Sequence, residues 1–204
     1  MPSCVQSSLL GVVLNGGQSS RMGRDKSSLQ LLDGNSFQEF AVQRLHTVCQ
    51  QVVISVHNNP VMNLPSKTNI IVDQGEGHGP MVGMLSSLTH ADQNGLEGCI
   101  FTPIDTPLLR PEDLKLLLDA WVQSPEKPVC AVNQSEMRLE PLISIIPATY
   151  RSKLRVALKA GNFSVFKWML ANEAVQVTIE PERLKNVNHP SDLIHLNRVP
   201  PQIR

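Results

Sequence analysis

Residues 9–28, LLGVVLNGGQSSRMGRDKSS, join an apolar run to a polar loop that begins with two glycines. The apolar run, Leu9 to Leu14, is rich in Leu and Val and predicts a buried central strand of a parallel sheet. Gly16 and Gly17 have no Cβ, so the backbone can turn sharply there and approach a ligand closely. Exposed N–H groups in such a turn form a concave anion site. The stretch therefore predicts a strand that ends in an anion-binding loop.

The loop also carries the cations that an anion site needs. Arg21 can bind phosphate oxygens through two parallel N–H groups, and Lys26 can act as a mobile point charge. The Walker pattern does not fit, because it needs Lys directly after its second glycine and two residues separate Gly23 from Lys26. The dinucleotide pattern G-x-G-x-x-G is not matched either. The loop is thus a phosphate-binding candidate of another kind.

Composition limits the class of protein. The chain has 204 residues, 41% of them hydrophobic, which argues for a folded α/β domain and against disorder. Lys and Arg number 18, as do Asp and Glu, so no global basic field attracts nucleic acid. The four cysteines form no C-x-x-C pair, which leaves zinc and redox motifs unsupported. The first residues resemble neither a signal peptide nor a membrane helix, and we expect a cytoplasmic protein.

Predicted strands and helices alternate through about the first 130 residues, which indicates parallel βαβ units with helices on both faces of the sheet. Turn residues separate the elements, and proline or glycine bounds several of them. The predicted strands are 9–14, 52–56, 69–72, 98–102, 128–132, 141–146 and 175–179, and the predicted helices are 37–49, 81–89, 111–122, 148–160, 164–172 and one from Ser191.

Polar residues lie at the ends of the predicted strands, where ligands bind in parallel sheets. We expect Ser55, Asp73 and Asp105 to converge with the glycine loop on one rim. Asp105, between Pro103 and Pro107, offers a hard oxygen ligand suited to Mg²⁺. A turn-capping role explains Asp105 equally well without a ligand, and a solvated loop position is the less favoured alternative for Asp73.

The glycine loop resembles G-G-x-S-x-R-M-G-x-D-K, the signature of the molybdenum cofactor guanylyltransferase family of MobA-like nucleotidyltransferases. Asn15 stands where that family usually has Ala, which adds a polar group beside the nucleotide. The matching positions are Gly16, Gly17, Ser19, Arg21, Met22, Gly23, Asp25 and Lys26.

Further segments resemble the family in the same order. Residues 102–107 look like its P-x-D-x-P segment, whose Asp binds magnesium. Asp73 with residues 79–84 resembles D…G-P-L-A-G-M, whose Asp lies in the nucleotide site, and Ser55 falls where the family has a nucleotide-contacting Asn. Arg138 resembles the start of an acceptor-side R-x-x-P-L segment, although a surface Arg is an equal alternative.

Residues 186–193 resemble N-x-N-T-P-E-D-L, a segment that closes over the active site in the family. His189 replaces the usual Thr. Asn186 and Asn188 alternate, so they point the same way if the segment is extended. The alternative is a turn that only caps a last helix.

The resemblance implies a three-layer αβα Rossmann-like nucleotidyltransferase fold with a mostly parallel central sheet. It implies one domain over residues 1–204, with a nucleotide-binding half of about 1–110 and an acceptor-binding half of about 111–198. The implied reaction is Mg²⁺-dependent transfer of GMP from GTP to molybdopterin. The implied catalytic residues are Arg21, Lys26 and Asp105, with Asp105 as metal ligand; the implied nucleotide-binding residues are Leu14, Asn15, Gly16, Gly17, Arg21, Lys26, Ser55, Asp73 and Asp105; and the implied acceptor-binding residues are Arg138, Asn186 and Asn188.

Two alternatives stay open at this point. The chain could be a related nucleotidyltransferase specific for CTP or for a sugar phosphate. It could also be a nucleotide-binding accessory protein without turnover, a reading that only Asn15 and His189 favour. Transient contact with other molybdenum cofactor biosynthesis proteins or apo-molybdoenzymes is a further expectation, with no nucleic acid or membrane partner.

Overall fold

The computed structural model describes residues 7–15, 36–57, 68–74 and 79–187. The strands are β1 (Ser7–Asn15), β2 (Cys49–Val56), β3 (Asn69–Val72), β4 (Gly98–Pro103), β5 (Val129–Asn133), β6 (Arg138–Pro147) and β7 (Val175–Ile179). The helices are α1 (Phe37–His46), α2 (Pro80–Gln93), α3 (Pro111–Gln123), α4 (Arg151–Lys159) and α5 (Val165–Ala171), with 3₁₀ turns at Ala148–Tyr150 and Pro181–Leu184.

These strands form one sheet in the order β3-β2-β1-β4-β6-β5-β7. β1 lies between β2 and β4 and pairs with both in parallel. The predicted mostly parallel sheet is therefore confirmed. Only β6 runs the other way among the described strands, antiparallel to β4 and β5. The reason is local: residues 134–137 alone connect β5 to β6, and so short a connection can join only antiparallel neighbours.

Helices cover both faces, as predicted. α1 and α3 pack on one face, where Leu9 and Val13 of β1 point. α2, α4 and α5 pack on the other, where Leu10, Val12 and Leu14 point. The alternation along β1 buries every second side chain on each face, which is the pattern of a central strand. The three-layer αβα arrangement is confirmed.

The predicted helix starts at residues 37 and 111 are observed, whereas the predicted end of the first helix at residue 49 was wrong, because α1 ends at His46 and Cys49 begins β2. Ser36 and Glu39 form a capping box at the start of α1. Gly161 follows the end of α4 with φ 73°, as a helix-ending glycine should. The predicted helix 148–160 was wrong at its start, because residues 148–150 form a 3₁₀ turn before α4 begins at Arg151. The glycine loop and the last helix predicted from Ser191 lie outside the described residues.

In the part of the chain that the structure describes, no helix is both long and apolar enough to cross a membrane.

Candidate functional site

Four parallel strands end at one rim of the sheet. In the register of β1, Leu14 lies opposite Ser55 of β2 on one side and Pro103 of β4 on the other. The backbone N–H of Ile104, just past β4, donates to the carbonyl of Leu14 over 3.3 Å. Along the chain, β2 and β3 are added on one side of β1, whereas β4 is added on the other side. The order of the strands therefore reverses at this rim. The strand ends that precede or carry Ser55, Asp73 and Asp105 therefore lie at one rim, and the glycine loop predicted to join them lies outside the described residues.

Ser55 and Asp73 form a hydrogen-bonded pair on the α2 side of this rim. The Ser55 hydroxyl donates to Oδ1 of Asp73 over 2.7 Å. The backbone N–H of Asp73 donates to the carbonyl of Val56 over 2.9 Å, which ties the residue after β3 to the end of β2. Nδ1 of His57 lies 3.8 Å from Oδ2 of the same carboxylate. The carboxylate is therefore held in a defined position.

The Asp73 side chain is only 7% exposed. Burial raises the pKa of its carboxyl above the ordinary value, and the Ser55 hydrogen bond and the nearby His57 oppose that rise without cancelling it. A buried carboxylate at a strand end, with a raised pKa, is a usual feature of a binding site. It can accept hydrogen bonds from the N–H or O–H groups of a ligand.

Gly83 of α2 lies directly against this pair. A Cβ at position 83 would come within 2.3 Å of the Ser55 hydroxyl oxygen and 2.9 Å of Oδ1 of Asp73. Both distances are below a van der Waals contact, so only glycine fits beside the pair as it stands. The sequence pattern included Gly83 in a matching segment but assigned it no role.

Asp105 lies beyond the end of β4, on the other side of β1 from Ser55. Its backbone carbonyl accepts a 2.8 Å hydrogen bond from the N–H of Val187. The Val187 side chain is buried in the core below, and the neighbouring Asn186 is exposed. The segment predicted to approach the active site is thus brought to the predicted metal residue. Its other predicted member, Asn188, lies outside the described residues.

The donor chemistry at Asp105 suits magnesium bound together with a nucleotide. No group of three or more His, Cys, Asp or Glu side chains within the described ranges could hold a metal alone. Mg²⁺ binds through one or two carboxylates and takes its other ligands from phosphates and water. A single rim carboxylate therefore fits a metal that arrives with its nucleotide.

Arg138 begins β6 and lies at the same end of the sheet, because β6 is antiparallel to its neighbours. Its guanidinium is 63% exposed and pairs with Oε1 of Glu140 at 3.3 Å. Burial raises the pKa of Glu140, which the Arg138 charge opposes. The predicted acceptor-side cation is thus present at the rim, with a carboxylate partner that the sequence did not indicate.

Arg44 was missed by the sequence analysis. It lies on α1 and is 3% exposed, and its Nη1 donates to the carbonyls of Thr106 and Leu109 over 2.7 and 3.1 Å. It therefore holds the loop that carries Asp105. A signal existed in the sequence, since Arg44 stands in the apolar stripe of α1 next to Leu45.

Together these residues divide the rim into two parts. β1 lies between the Ser55–Asp73 pair and Asp105, so that Ser55 on β2 is about 10 Å, or two strand spacings, from the end of β4. The first part can bind hydrogen-bond donors, and the second can bind a cation with phosphate. The residues predicted for the anion loop, Gly16, Gly17, Arg21 and Lys26, follow β1 in sequence and lie outside the described residues.

Comparison with known proteins agrees with this arrangement. The family model for the MobA-like NTP transferase domain matches residues 11–175. A protein of Rhodopirellula baltica named "Probable molybdenum cofactor guanylyltransferase" is 34% identical over 197 residues, which cover 95% of this chain and 93% of that protein.

Solved structures share the fold. Molybdopterin-guanine dinucleotide biosynthesis protein A of Archaeoglobus fulgidus superposes with a TM-score of 0.67 at 21% identity, over 92% of this chain and 96% of that one. The 2-C-methyl-D-erythritol 4-phosphate cytidylyltransferase of Thermus thermophilus gives 0.66 at 15% identity, over 94% and 100%. Since a cytidylyltransferase has the same fold, the fold alone does not select the base.

Proposed function

Because the chain belongs to the family of MobA-like NTP transferase domains, we propose that it transfers GMP from GTP to molybdopterin. The products are the guanine dinucleotide form of the cofactor and pyrophosphate. The observation that carries the proposal is the rim itself, where a buried, hydrogen-bonded carboxylate and a metal-suited carboxylate flank the central strand. The likeness to the Rhodopirellula baltica protein over nearly its whole length supports the choice of base and acceptor.

The proposed reaction is an in-line displacement. A terminal phosphate oxygen of molybdopterin attacks the α-phosphorus of GTP, a new P–O bond forms, and the bond from the α-phosphorus to the bridging oxygen breaks. Pyrophosphate leaves with the electron pair of that bond. Both reactants are anionic, so the protein contributes mainly by orienting them and neutralising charge.

In this proposal the two parts of the rim have different tasks. The Ser55–Asp73 pair binds the nucleoside and fixes its direction along the rim. Leu14 and Asn15, the last residues of β1, lie between the two parts. Asp105 would hold Mg²⁺, and the ion would supply positive charge that neutralises the phosphates. Arg21 and Lys26, with the amides of Gly16 and Gly17, stabilise the charge that develops on the α-phosphorus and on pyrophosphate.

The acceptor side of the proposal rests on the contact between Val187 and Asp105. That hydrogen bond holds Asn186 within one residue of the metal-binding loop. Asn186 and Asn188 would donate amide hydrogens to molybdopterin, and Arg138 would attract its phosphate from across the rim. The pterin phosphate would then approach the α-phosphorus from the side opposite the leaving pyrophosphate.

The test is product identification. Purified protein is incubated with Mg²⁺, molybdopterin and an equimolar mixture of GTP, CTP and ATP, and the dinucleotide products are identified by mass spectrometry. We expect the guanine dinucleotide to dominate. A dominant cytosine product would move the protein to the cytidylyl alternative, and absence of any dinucleotide would favour the accessory alternative.

Contact with other molybdenum cofactor proteins or apo-molybdoenzymes is a further part of the proposal. Charge segregation supports it, because residues 148–172 contain five Lys or Arg and no Asp or Glu in a chain with equal totals. This segment could meet an acidic partner surface. We also propose a cytoplasmic location, since Cys99 and Cys130 are free thiols, as is usual in a reducing compartment.

A further inference from the structure

A buried arginine supports the loop that carries Asp105. Nη1 of Arg44 donates to the carbonyls of Thr106 and Leu109, which are 62 and 65 positions away in sequence. The two carbonyls belong to the connection between β4 and α3, and Asp105 immediately precedes the first of them. One guanidinium nitrogen thus fixes two points of this connection.

The same loop is held at two other points. The N–H of Ile104 donates to Leu14 of β1, and the carbonyl of Asp105 accepts from Val187. These contacts fix the loop where it leaves β4 and at Asp105 itself. Arg44 fixes it on the far side of Asp105, so the carboxylate is carried by a backbone that is supported from both directions.

Burial of Arg44 costs folding free energy, so a contribution to stability alone does not explain why an arginine supports this loop. Its side chain is 97% buried, and Nε and Nη2 have no hydrogen-bond partner within the described residues. Burial lowers the pKa of Arg44 to about 10, which the charge of Asp113 opposes, so the guanidinium still carries its charge at neutral pH. Burying a cation with unused donors costs free energy that an apolar side chain would not.

We propose that Arg44 is a positioning residue for the reaction: it fixes residues 104–109 so that the Asp105 carboxylate stands ready for the magnesium–nucleotide complex. This inference rests on the proposed function of Asp105. Arginine suits the task because its planar, rigid head presents several donors in fixed directions, whereas the compact lysine ammonium cannot reproduce that geometry.

The test compares Arg44→Lys and Arg44→Gln with a matched control. Arg151→Lys is the control, because Nη1 of Arg151 pairs with Asp92 at 3.0 Å on the other face of the sheet. The first measurement is hydrogen–deuterium exchange of peptides that cover residues 104–110, without ligand. The second is calorimetric affinity of Mn²⁺ for the protein saturated with GTP.

We expect both Arg44 variants to exchange faster over residues 104–110 and to bind Mn²⁺ roughly tenfold more weakly, the usual effect of losing a residue that orients a metal ligand. Arg151→Lys should match the wild type in both measurements. A purely structural Arg44 would lower the thermal midpoint and leave the Mn²⁺ affinity of the folded variants unchanged. That result, in whichever of the two variants folds, overturns the inference.

Asp105→Asn separates this inference from the function on which it rests. If Asp105→Asn weakens Mn²⁺ binding and the Arg44 variants do not, only the positioning role of Arg44 fails. If Asp105→Asn leaves Mn²⁺ binding intact, the proposed metal site fails, and the positioning role fails with it.

Discussion

At the scale of single residues, the site depends on the Ser55 hydroxyl, the Asp73 carboxylate and the lack of a side chain at Gly83. Ser55 lies on β2 and Asp73 directly follows β3, and the two meet because these strands are paired. Gly83 of α2 leaves the space that the pair occupies. The arrangement therefore predicts that adding one methyl group at position 83 disturbs ligand binding more than it disturbs the fold.

Gly83→Ala should weaken GTP binding about tenfold, the size of one hydrogen bond to a charged group. The new Cβ would overlap the Ser55 hydroxyl, which must rotate away from Asp73. The fold should persist, because the nearest atoms are side-chain ends and Ala is a better helix former than Gly. Calorimetry with GTP and a thermal melt without ligand measure the two effects.

The control for Gly83→Ala is Gln93→Ala, at the exposed end of the same helix. A double variant with Ser55→Ala removes the overlapping oxygen, so its loss of affinity should be smaller than the sum of the two single losses. Full additivity would show that Gly83 and Ser55 act independently and would contradict the packing argument.

The raised pKa of Asp73 predicts a pH-dependent stability. Since its ordinary value is 3.8 and burial raises it in the folded state, the folded protein binds this proton more tightly than the unfolded chain does. Burying the charge therefore costs stability at pH values above the raised pKa. That cost falls as the pH drops through the raised pKa and is gone below 3.8.

Asp73→Asn should accordingly be more stable than the wild type at pH 7, with a difference that shrinks towards zero as the pH falls below 3.8. Urea unfolding at several pH values measures it, with Asp119→Asn on the exposed side of α3 as control. A wild type more stable than Asp73→Asn at pH 7 would show that the contacts to Ser55 and His57 outweigh burial.

At the scale of elements, the 3₁₀ turn Pro181–Leu184 connects β7 to residues 185–187, which include the predicted acceptor-binding residue Asn186. Nη1 of Arg183 lies 3.5 Å from Oδ2 of Asp113, and the two side chains are 22% and 8% exposed. The same Asp113 oxygen accepts from the backbone N–H of Arg110 at the start of α3. The turn is thus joined to the helix that follows the Asp105 loop.

Arg183→Gln should raise the KM for molybdopterin several-fold and leave GTP affinity nearly unchanged, because the turn orients residues 185–187 and does not touch the Ser55–Asp73 pair. Steady-state kinetics with each substrate varied in turn measures the effect on each substrate separately. Lys185→Gln is the control, since its pair with Glu182 is exposed on both sides and contributes little. Equal effects of Arg183→Gln and Lys185→Gln would refute the role of the turn.

The elements also show which parts of the fold and of the site can be predicted from the sequence alone. The bounds of β3 and β7 match the prediction at both ends, because each is a short β-branched run. The rim was predictable because parallel strands end together. The burial of Arg44 could be predicted from its place in the apolar stripe of α1, but its hydrogen-bond partners could not, since they are more than 60 positions away and only the fold brings them together. The antiparallel direction of β6 follows from its short connection to β5. The predicted start of this strand at Pro141, three residues after the observed start at Arg138, made that connection look longer.

At the scale of the whole molecule, both faces of one sheet are closed by helices around continuous cores. Cys49 lies in the core under α1 and α3, whereas Cys99 and Cys130 lie in the opposite one. Burial raises the pKa of Cys99 well above its ordinary range and that of Cys130 to about 12, so both thiols stay protonated at pH 8. These thiols can therefore report when each part of the sheet opens.

If residues 1–204 form a single domain, as the sequence predicts, Cys49, Cys99 and Cys130 should become reactive together. Thiol labelling across a urea series, with peptides assigned by mass spectrometry, should show no reaction of these three cysteines in the native protein and one shared midpoint for them. Labelling of Cys130 at clearly lower urea than Cys99 would divide the chain into a nucleotide half and an acceptor half that unfold separately.

If the rim that carries Asp105 catalyses metal-dependent GMP transfer, as proposed, pyrophosphate release from GTP and molybdopterin is the most direct measurement of it. The wild type should release pyrophosphate only with both substrates and Mg²⁺ present. Asp105→Asn should release it at least about a hundredfold more slowly, the typical loss of one transition-state contact, while binding GTP as tightly as the wild type without Mg²⁺. Release by Asp105→Asn at the wild-type rate, or no release by the wild type, would contradict the account.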